Sequence, residues 1–254
     1  MKKTNLKKRI IPVILIKDYQ VVKSRCYKDY RIFGNLEQTI NVFNVRDVDE
    51  ILILDIEPSK KNEHVNVDIL KILSRNSLMP ITYGGGIHTL EVIQSCLKYG
   101  CDKVVINTQA ILEPDFIKRA AKEFGSQCIT VSIDYKIDSK EFSLLSHAGA
   151  NINGINLLDF IKKMEDFGAG ELYITSVSSE GMMKGYELGL MKKIYEHVSV
   201  PIIINGGCGE PVHMQEAINN GAEGVCASSM FLYTEHGYKD VKSFLKINGI
   251  EIRI

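Results

Sequence analysis

The sequence has no excess of charge of either sign, because 31 Lys and Arg residues balance 31 Asp and Glu residues among 254. Proteins that bind nucleic acid or anionic membranes generally carry a basic excess. We therefore expect neither kind of partner, whereas a small phosphorylated ligand stays possible because it needs only local donors. With 45% hydrophobic and 24% charged residues, the composition is typical of a folded globular protein and excludes intrinsic disorder.

Long hydrophobic runs are also missing, and no apolar stretch approaches the roughly 18 residues of a transmembrane helix. The N-terminal run Ile10–Ile16 is short, is followed by Lys17 and Asp18, and lacks the small-residue cleavage site of a secretory signal. We interpret this run as a buried first strand. The sequence therefore predicts a cytoplasmic protein.

Cysteine pairs with C-x-x-C spacing are absent, and the six histidines show no metal-binding spacing. Scattered cysteines in a chain of this length are typical of a reducing compartment and not of a disulfide framework. We expect no metal and no cofactor. The six dispersed cysteines are Cys26, Cys96, Cys101, Cys128, Cys208 and Cys226.

Eight short apolar runs alternate with eight amphipathic segments along the chain. Strands that are apolar throughout are typical of a parallel sheet covered on both faces. The strict alternation predicts one (β/α)8 TIM barrel domain over residues 1–254. An open doubly wound sheet is the alternative, but it would not need eight units. The predicted strands are Ile10–Ile16, Ile51–Ile56, Pro80–Tyr83, Lys103–Asn107, Cys128–Ile133, Leu172–Ser176, Pro201–Ile204 and Gly224–Ala227.

An internal repeat indicates that the barrel consists of two duplicated half-barrels. Gly206, in NGGCG, lies 121 positions after Gly85, in YGGGI, and Gly221 lies 121 positions after Gly100. Two matching blocks at one offset, close to half the chain, favour duplication of a four-unit half. We place the halves at about 1–125 and 126–254.

Glycine clusters follow the third and seventh predicted strands, and hydroxyl residues follow the fourth and eighth. Glycine lets the backbone approach a ligand closely, so that its N–H groups can donate to phosphate oxygens. Two such clusters predict a ligand with two phosphates, roughly one barrel diameter apart; the alternative is that the glycines only make tight turns. The clusters are Gly84, Gly85 and Gly86 with Asn107 and Thr108, and Gly206 and Gly207 with Ser228 and Ser229.

Over essentially its whole length the chain resembles the cyclase subunit of imidazole glycerol phosphate synthase, from histidine biosynthesis. The resemblance is carried by KRIIP at 8–12, DEILILDI at 49–56, DKVVINT at 102–108 and GAGELYITS at 168–176, among other stretches. It implies a barrel that docks a glutaminase on its N-terminal face and conducts ammonia through its core. The phosphate-binding positions implied are Gly86, Thr108, Gly181, Gly207 and Ser229.

The resemblance also implies an ammonia gate formed by Arg9, Glu50, Lys103 and Glu171, all present with the expected charge. Ion pairs that merely stabilise the bottom of the barrel are the alternative. Charged residues are costly to bury at the start of strands that are otherwise apolar. We therefore favour the gate.

The residues of the reaction centre depart from the family pattern. The family uses one aspartate at the end of strand one and another at the end of strand five as general acid and base. Asp134 matches the second, but Leu15 stands where the first belongs, and an alkyl group cannot exchange a proton. The first-loop Lys23 and the strand-four Asn107 match substrate-loop positions, whereas the loop after strand six reads SSEGM at 178–182 and Asn205 replaces a smaller residue.

The four residues of the ammonia gate are retained, whereas Leu15 replaces the first aspartate. This combination points to a paralogue group associated with sugar amidation in bacterial surface-glycan pathways. By resemblance, such proteins pair with a glutaminase, as a heterodimer, and with a separate sugar amidotransferase. An active cyclase, which makes imidazole glycerol phosphate and AICAR from a phosphoribulosyl intermediate and ammonia, is the main alternative. A sugar-phosphate isomerase and a non-catalytic phosphate sensor are two others.

Two further segments carry structural expectations. The tyrosine- and arginine-rich stretch Lys23–Phe33 is expected to form a mobile loop at the active site. The segment Lys136–His147 is expected to form a small hairpin after strand five.

Overall fold

The computed structural model describes residues 7–46, 48–57, 65–138, 141–147, 149–152 and 154–253. Eight strands of this part form a closed parallel barrel in the order β1, β4, β5, β6, β7, β10, β11, β12, and β12 pairs again with β1. The predicted TIM barrel is confirmed. The strands are β1 (Arg9–Lys17), β2 (Gln20–Arg25), β3 (Lys28–Asn35), β4 (Ile51–Asp55), β5 (Ile81–Gly84), β6 (Lys103–Ile106), β7 (Ile129–Asp138), β8 (Glu141–Ser146), β9 (Ala150–Asn151), β10 (Glu171–Ser176), β11 (Ile202–Asn205) and β12 (Gly224–Ala227).

Helices connect successive barrel strands, and several begin at side-chain caps. Asn35, Asn66 and Asn156 each accept backbone N–H bonds from the first turn of the following helix, a cap that contributes about 1 kcal/mol. The helices are α1 (Leu36–Val45), α2 (Val67–Asn76), α3 (Leu90–Lys98), α4 (Thr108–Leu112), α5 (Asp115–Phe124), α6 (Leu157–Asp166), α7 (Leu188–His197), α8 (Pro211–Asn219), α9 (Ser229–Tyr233) and α10 (Tyr238–Ile247), with a 3₁₀ turn at Ser126–Cys128.

The apolar core has two layers because alternate side chains of each strand point to opposite faces. One layer lies between the strands and the helices and includes Ile10, Ile14 and Tyr83. The other fills the barrel interior. Its fully or largely buried members are Ile11, Val13, Leu15, Val22, Leu52, Val105, Tyr173, Ile203 and Cys226.

Two antiparallel additions lie at the C-terminal face of the barrel. Strands β2 and β3 form a hairpin after β1, in which Val22 pairs with Leu15, and Cys26 N–H donates to the Glu180 carbonyl (3.0 Å). The expectation of a loop at Lys23–Phe33 is corrected, because strand pairing orders this segment. The hairpin expected after the fifth barrel strand is confirmed, since β8 pairs with β7.

The structure repeats the sequence offset of 121 in detail. Strands β5 and β6 and helix α4 have the bounds of β11, β12 and α9 when shifted by that offset. A Cβ on Gly85 would lie 2.1 Å from the Asp55 carbonyl oxygen, and one on Gly206 would lie 2.5 Å from the Ser176 carbonyl oxygen. The same close approach therefore occurs in both halves. This supports the duplication, while the boundary near residue 125 stays a prediction.

Candidate active site and charged ring

A cavity of about 310 Å³ opens at the carboxyl ends of the barrel strands, where active sites of such barrels lie. Glycines, apolar side chains and two carboxylates line it. The lining residues include Leu15, Tyr27, Tyr30, Leu54, Asp55, Gly85, Gly86, His88, Asn107, Thr108, Asp134 and His147. The predicted residues of the first phosphate cluster are thus brought together with the predicted catalytic aspartate.

Asp134, at the top of β7, is buried and hydrogen bonded. Its carboxylate accepts a bond from Ser132 Oγ (3.0 Å) and contacts the Tyr27 side chain. Burial raises the pKa of Asp134 to about 6, helped by the nearby charge of Glu180, although the bonds from Ser132 and Tyr27 lower it. A carboxyl with a pKa close to neutrality is suited to proton transfer.

Leu15, which the resemblance aligns with the first family aspartate, lines the same cavity as Asp134 and cannot carry a proton. Its side chain packs in the apolar interior, next to Val22 of the hairpin and Leu54 of β4. Asp18, three residues later, lies exposed in a turn with a φ of 48° and does not line the cavity. Asp18 therefore does not take the place of Leu15 in the cavity.

Asp55, at the end of β4, is a cavity carboxylate that the sequence analysis assigned no role. It accepts bonds from the Tyr83 hydroxyl (3.3 Å) and the Glu57 backbone N–H (3.1 Å). Burial raises its pKa to about 6, despite these bonds. One signal was available in the sequence, because Asp55 ends an otherwise apolar barrel strand. Tyr27 gave no comparable signal, since only the hairpin fold brings it to Asp134.

The first phosphate cluster is ordered by bonds from neighbouring loops. Thr108 Oγ1 accepts bonds from Ser146 Oγ (3.3 Å) and His147 N–H (3.4 Å), and Asn107 Nδ2 donates to the Ser132 carbonyl (3.1 Å). His88 Nδ1 lies 2.7 Å from the Gly86 carbonyl oxygen, so this nitrogen carries the proton. These contacts place a hydroxyl, imidazoles and glycine backbone around one end of the cavity.

The second phosphate cluster lines a separate recess that is partly open to solvent. Glu180, a residue that the sequence analysis did not single out, lines this space and accepts a bond from Asn205 Nδ2 (3.3 Å). Burial raises the pKa of Glu180, which Lys23 and Asn205 partly oppose. The cluster is formed by Gly181, Gly206, Gly207, Ser228 and Ser229.

Lys23 lies inside the protein and not in solvent. Only 4% of the residue is exposed, and its ammonium makes no hydrogen bond among the described residues. Burial lowers its pKa to about 8, although the charge of Glu180 opposes this shift. The predicted substrate-loop lysine thus faces Glu180 at the top of the barrel.

The four predicted gate residues form a closed ring at the N-terminal end of the barrel. Arg9 bonds to Glu50 (2.8 Å) and to Glu171, and Lys103 lies 3.3 Å from Glu50 and 3.1 Å from Glu171. Thr82 donates to Glu50 (2.9 Å). Burial raises the pKa of Glu50, but Arg9 and Lys103 outweigh it, so the net pKa lies below its usual value.

Metal sites and membrane-spanning helices are not found within the described ranges. No group of three His, Cys, Asp or Glu side chains there is placed to hold a metal ion. No helix in the same ranges combines the length and apolar character needed to cross a membrane.

The family assignment follows from comparison with known proteins. A family model described as histidine biosynthesis protein matches residues 9–237. The chain belongs to this family. It is 42% identical over 249 residues to the provisional imidazole glycerol phosphate synthase subunit hisF2 of Campylobacter jejuni, covering 98% of this chain and 99% of that protein.

Two further relatives cover the chain to the same extent. A provisional subunit hisF2 of Vibrio vulnificus is 39% identical over 250 residues, covering 98% of this chain and 92% of that protein. Imidazole glycerol phosphate synthase subunit HisF of Thermococcus onnurineus is 35% identical over 249 residues, covering 98% and 99%. The resemblance to the cyclase-subunit family is thereby confirmed.

Proposed function

We propose that this chain is the ammonia-accepting subunit of a glutamine amidotransferase complex. In this proposal a separate glutaminase binds the N-terminal face, and the barrel conducts ammonia toward its C-terminal face. A separate amidotransferase then uses the ammonia to amidate a sugar of a surface glycan. The observation that carries the proposal is the intact charged ring in a barrel whose first acid/base position is Leu15.

The ring supports a gate because burying charged side chains at this end of the barrel costs free energy. Glu50 and Glu171 are buried, and each contacts both cations. Replacing buried ion pairs with apolar residues is often neutral or stabilising, so stability alone does not require four charges here. Side chains that must part to admit a small molecule are better held by polar contacts than by apolar packing.

The barrel interior above the ring favours neutral ammonia over ammonium. Ile11, Leu52 and Val105 belong to the apolar interior layer. Moving an ammonium ion into such surroundings costs far more than moving a neutral amine. A deprotonated nitrogen that enters from a partner would therefore stay neutral and nucleophilic until it reaches the polar groups near Asp134.

Exposed apolar side chains at the N-terminal face support partner docking there. Val45 ends α1, Leu78 precedes β5 and Ile247 ends α10, and all three are more than four-fifths exposed. Helices return the chain to the N-terminal end of the barrel, so these residues lie at the same end as the charged ring. Exposed apolar side chains indicate an interaction surface when they form one patch, and in this proposal the three residues belong to the patch that the glutaminase covers.

The absence of an acid at position 15 favours a paralogue over a histidine-pathway cyclase. Both hisF2 proteins, at 42% and 39% identity, are more similar to this chain than the HisF relative at 35%. The Leu15 side chain cannot act as acid or base. Reaction at the C-terminal face would then depend on a second protein.

The test is to mix the purified chain with its cognate glutaminase and measure glutamine hydrolysis and complex formation. We expect a stable heterodimer and stimulated hydrolysis. In a mixture with the sugar amidotransferase, nitrogen from ¹⁵N-glutamine should enter the product even in excess unlabelled ammonium. Absence of both complex and stimulation would refute the proposal.

The second candidate function is an active cyclase, and Asp55 is the observation that favours it. Asp55 and Asp134 line one cavity, and burial raises both pKa values to about 6. Two carboxyls could then share the acid and base roles without the missing aspartate. Production of imidazole glycerol phosphate from the phosphoribulosyl intermediate and ammonium would support this candidate, provided that Asp55→Asn abolishes the turnover.

A further inference from the structure

Hydroxyl groups line one side of the barrel interior, where β7 and β10 lie next to each other. Side chains two positions apart on a strand point to the same face. The interior face of β10 carries Glu171 of the charged ring, then Tyr173 of the interior layer, and then Thr175. Tyr173 and Thr175 are fully buried. Strand β10 therefore presents two neutral hydroxyl groups above the ring.

Strand β7 presents a second row of polar groups beside the first. In the parallel register, Thr130 pairs with Glu171, and Ser132 pairs with Tyr173. The Thr130 hydroxyl donates to Glu171 (3.4 Å), and the Ser132 hydroxyl donates to Asp134 (3.0 Å). Because a strand rises about 3.3 Å per residue, the row from Thr130 to Asp134 covers roughly 13 Å. The two rows together connect the charged ring with the carboxyl group at the top of the barrel.

The opposite side of the interior is apolar above the ring in the part of the chain that the structure describes. There β1, β4 and β6 contribute Ile11, Val13, Leu52 and Val105 to the interior layer, and all four are buried. Alkyl groups make no hydrogen bonds, so an amine beside them would lose the bonds that it makes in water. A small polar molecule that crosses the barrel is therefore expected to follow β7 and β10.

Tyr173 is the member of these rows whose hydroxyl makes no hydrogen bond within the described ranges. Buried polar groups in proteins are almost always hydrogen bonded to protein, water or ligand. Burial raises the pKa of Tyr173 well above its usual value, helped by Cys226 and Glu180, although the neighbouring Thr175 opposes the shift. The hydroxyl therefore stays protonated and neutral, and it can donate one hydrogen bond and accept others.

We propose that the Tyr173 hydroxyl binds one small neutral amine inside the barrel, on a route that runs along β7 and β10. A neutral amine has a lone pair that accepts the Tyr173 O–H, and it has N–H groups that donate to hydroxyl oxygens such as that of Thr175. An ammonium ion has no such lone pair, and its burial costs far more. That the amine is ammonia from a partner rests on the proposed function, whereas the binding site rests on the geometry of the two strands.

The site is tested first on the whole chain alone, with hydroxylamine as the probe. Hydroxylamine is a small amine that is uncharged at pH 8, and its two heavy atoms distinguish it from water in electron density. Crystals soaked in it are expected to show the probe within hydrogen-bond distance of Tyr173 Oη, whereas methylammonium, which is charged at that pH, should not bind there. Hydroxylamine found only elsewhere or nowhere, or methylammonium found at Tyr173, would overturn the proposal.

Two buried tyrosines provide matched variants. Tyr173→Phe removes the hydroxyl and keeps the ring, so hydroxylamine should no longer bind. The Tyr186 hydroxyl donates to the Cys226 carbonyl (2.7 Å) and its ring packs in the outer layer, so Tyr186→Phe should leave the probe in place. In the mixture with the glutaminase and the sugar amidotransferase, Tyr173→Phe should lower the transfer of ¹⁵N from glutamine by about three- to tenfold, which corresponds to one net hydrogen bond. Equal effects of the two variants would contradict a role for the Tyr173 hydroxyl.

Failure of this inference and failure of the proposed function give different results. Complex formation and glutaminase stimulation depend on the N-terminal face, so Tyr173→Phe should leave both unchanged. A chain that stimulates the glutaminase but binds no hydroxylamine at Tyr173 would refute the binding site alone. A chain that binds hydroxylamine at Tyr173 but does not respond to the glutaminase would refute the ammonia pathway alone.

Discussion

At the scale of single residues, the decisive feature is that Asp134 is present whereas Leu15 stands where the family has its other aspartate. Asp134 is hydrogen bonded to Ser132 and Tyr27, while Leu15, which lines the same cavity, offers only an alkyl group. Loss of a positioned acid or base typically costs about 10²- to 10⁴-fold in rate. Asp55 is the other carboxyl of the cavity among the described residues, which makes it the critical residue for separating the two candidate functions.

The raised pKa of Asp134 predicts a pH-dependent gain of stability in Asp134→Asn. The folded protein holds the proton to about pH 6, whereas an unfolded aspartate releases it near 3.8, so wild-type stability falls as pH rises through this window. We expect the variant to be more stable by roughly 2–3 kcal/mol at pH 8, with the gain shrinking toward pH 4. Urea unfolding at several pH values measures this. The exposed Asp29→Asn is the control, and an equal gain at pH 8 and pH 4 would contradict the prediction.

The charged ring predicts that two neighbouring cations differ in their effect on stability. Arg9→Met removes the cation that contacts both Glu50 and Glu171, and breaking a buried ion pair costs about 3–5 kcal/mol. Lys8→Met removes a single, partly exposed bridge to Glu223 at the barrel rim, for which a smaller cost is expected. Chemical unfolding at pH 7 compares them. Equal costs would show that the ring stabilises the protein no more than this single pair does.

At the scale of structural elements, the β2–β3 hairpin completes the top of the barrel. It brings Tyr27 to Asp134, buries Lys23 and places Ser24 against Gly181. The loop after β10 therefore has to pass under the hairpin, and a side chain at the crossing would push them apart.

Gly181→Ala is expected to destabilise the protein more than Gly154→Ala. Both glycines have positive φ, 73° and 80°, so both variants lose about 1 kcal/mol to backbone strain. A Cβ at Gly154 has nothing within 4 Å, whereas one at Gly181 meets the Ser24 carbonyl at 2.3 Å. We expect an additional 1–3 kcal/mol, roughly, from this overpacking. Thermal unfolding gives the comparison, and equal melting temperatures would contradict the described crossing.

At the scale of the whole molecule, the two ends of the barrel carry different chemical groups. The N-terminal end presents exposed apolar side chains around the charged ring, and the C-terminal end carries the cavity and both aspartates. Such a division suits a subunit that receives a small molecule at one end and releases it at the other.

This division predicts that Ile247→Glu impairs binding of the glutaminase and Ile32→Glu does not. Both residues are well exposed, at 85% and 67%, but Ile247 lies at the N-terminal face and Ile32 in the hairpin at the C-terminal face. A buried, unpaired charge in an interface typically costs several kcal/mol, so about tenfold or more weaker binding is expected for Ile247→Glu. Surface plasmon resonance measures it. Equal weakening by both variants would place the partner elsewhere.

The sequence determined the fold, the charged ring and the loss of the first acid. Alternating apolar runs, a repeat at offset 121 and charges at strand starts are local or periodic features, and parallel strands align them without further information. The positions of Leu15 and Asp134 at the ends of their strands could be predicted from the sequence alone.

Only the tertiary structure decided which side chains lie together at the C-terminal end of the barrel. Tyr27 and Asp134 are 107 positions apart, Lys23 and Glu180 are 157 apart, and barrel closure together with the hairpin brings each pair together. The sequence pattern determines which side chains lie at the end of a strand, but their neighbours in space come from segments that are distant in sequence.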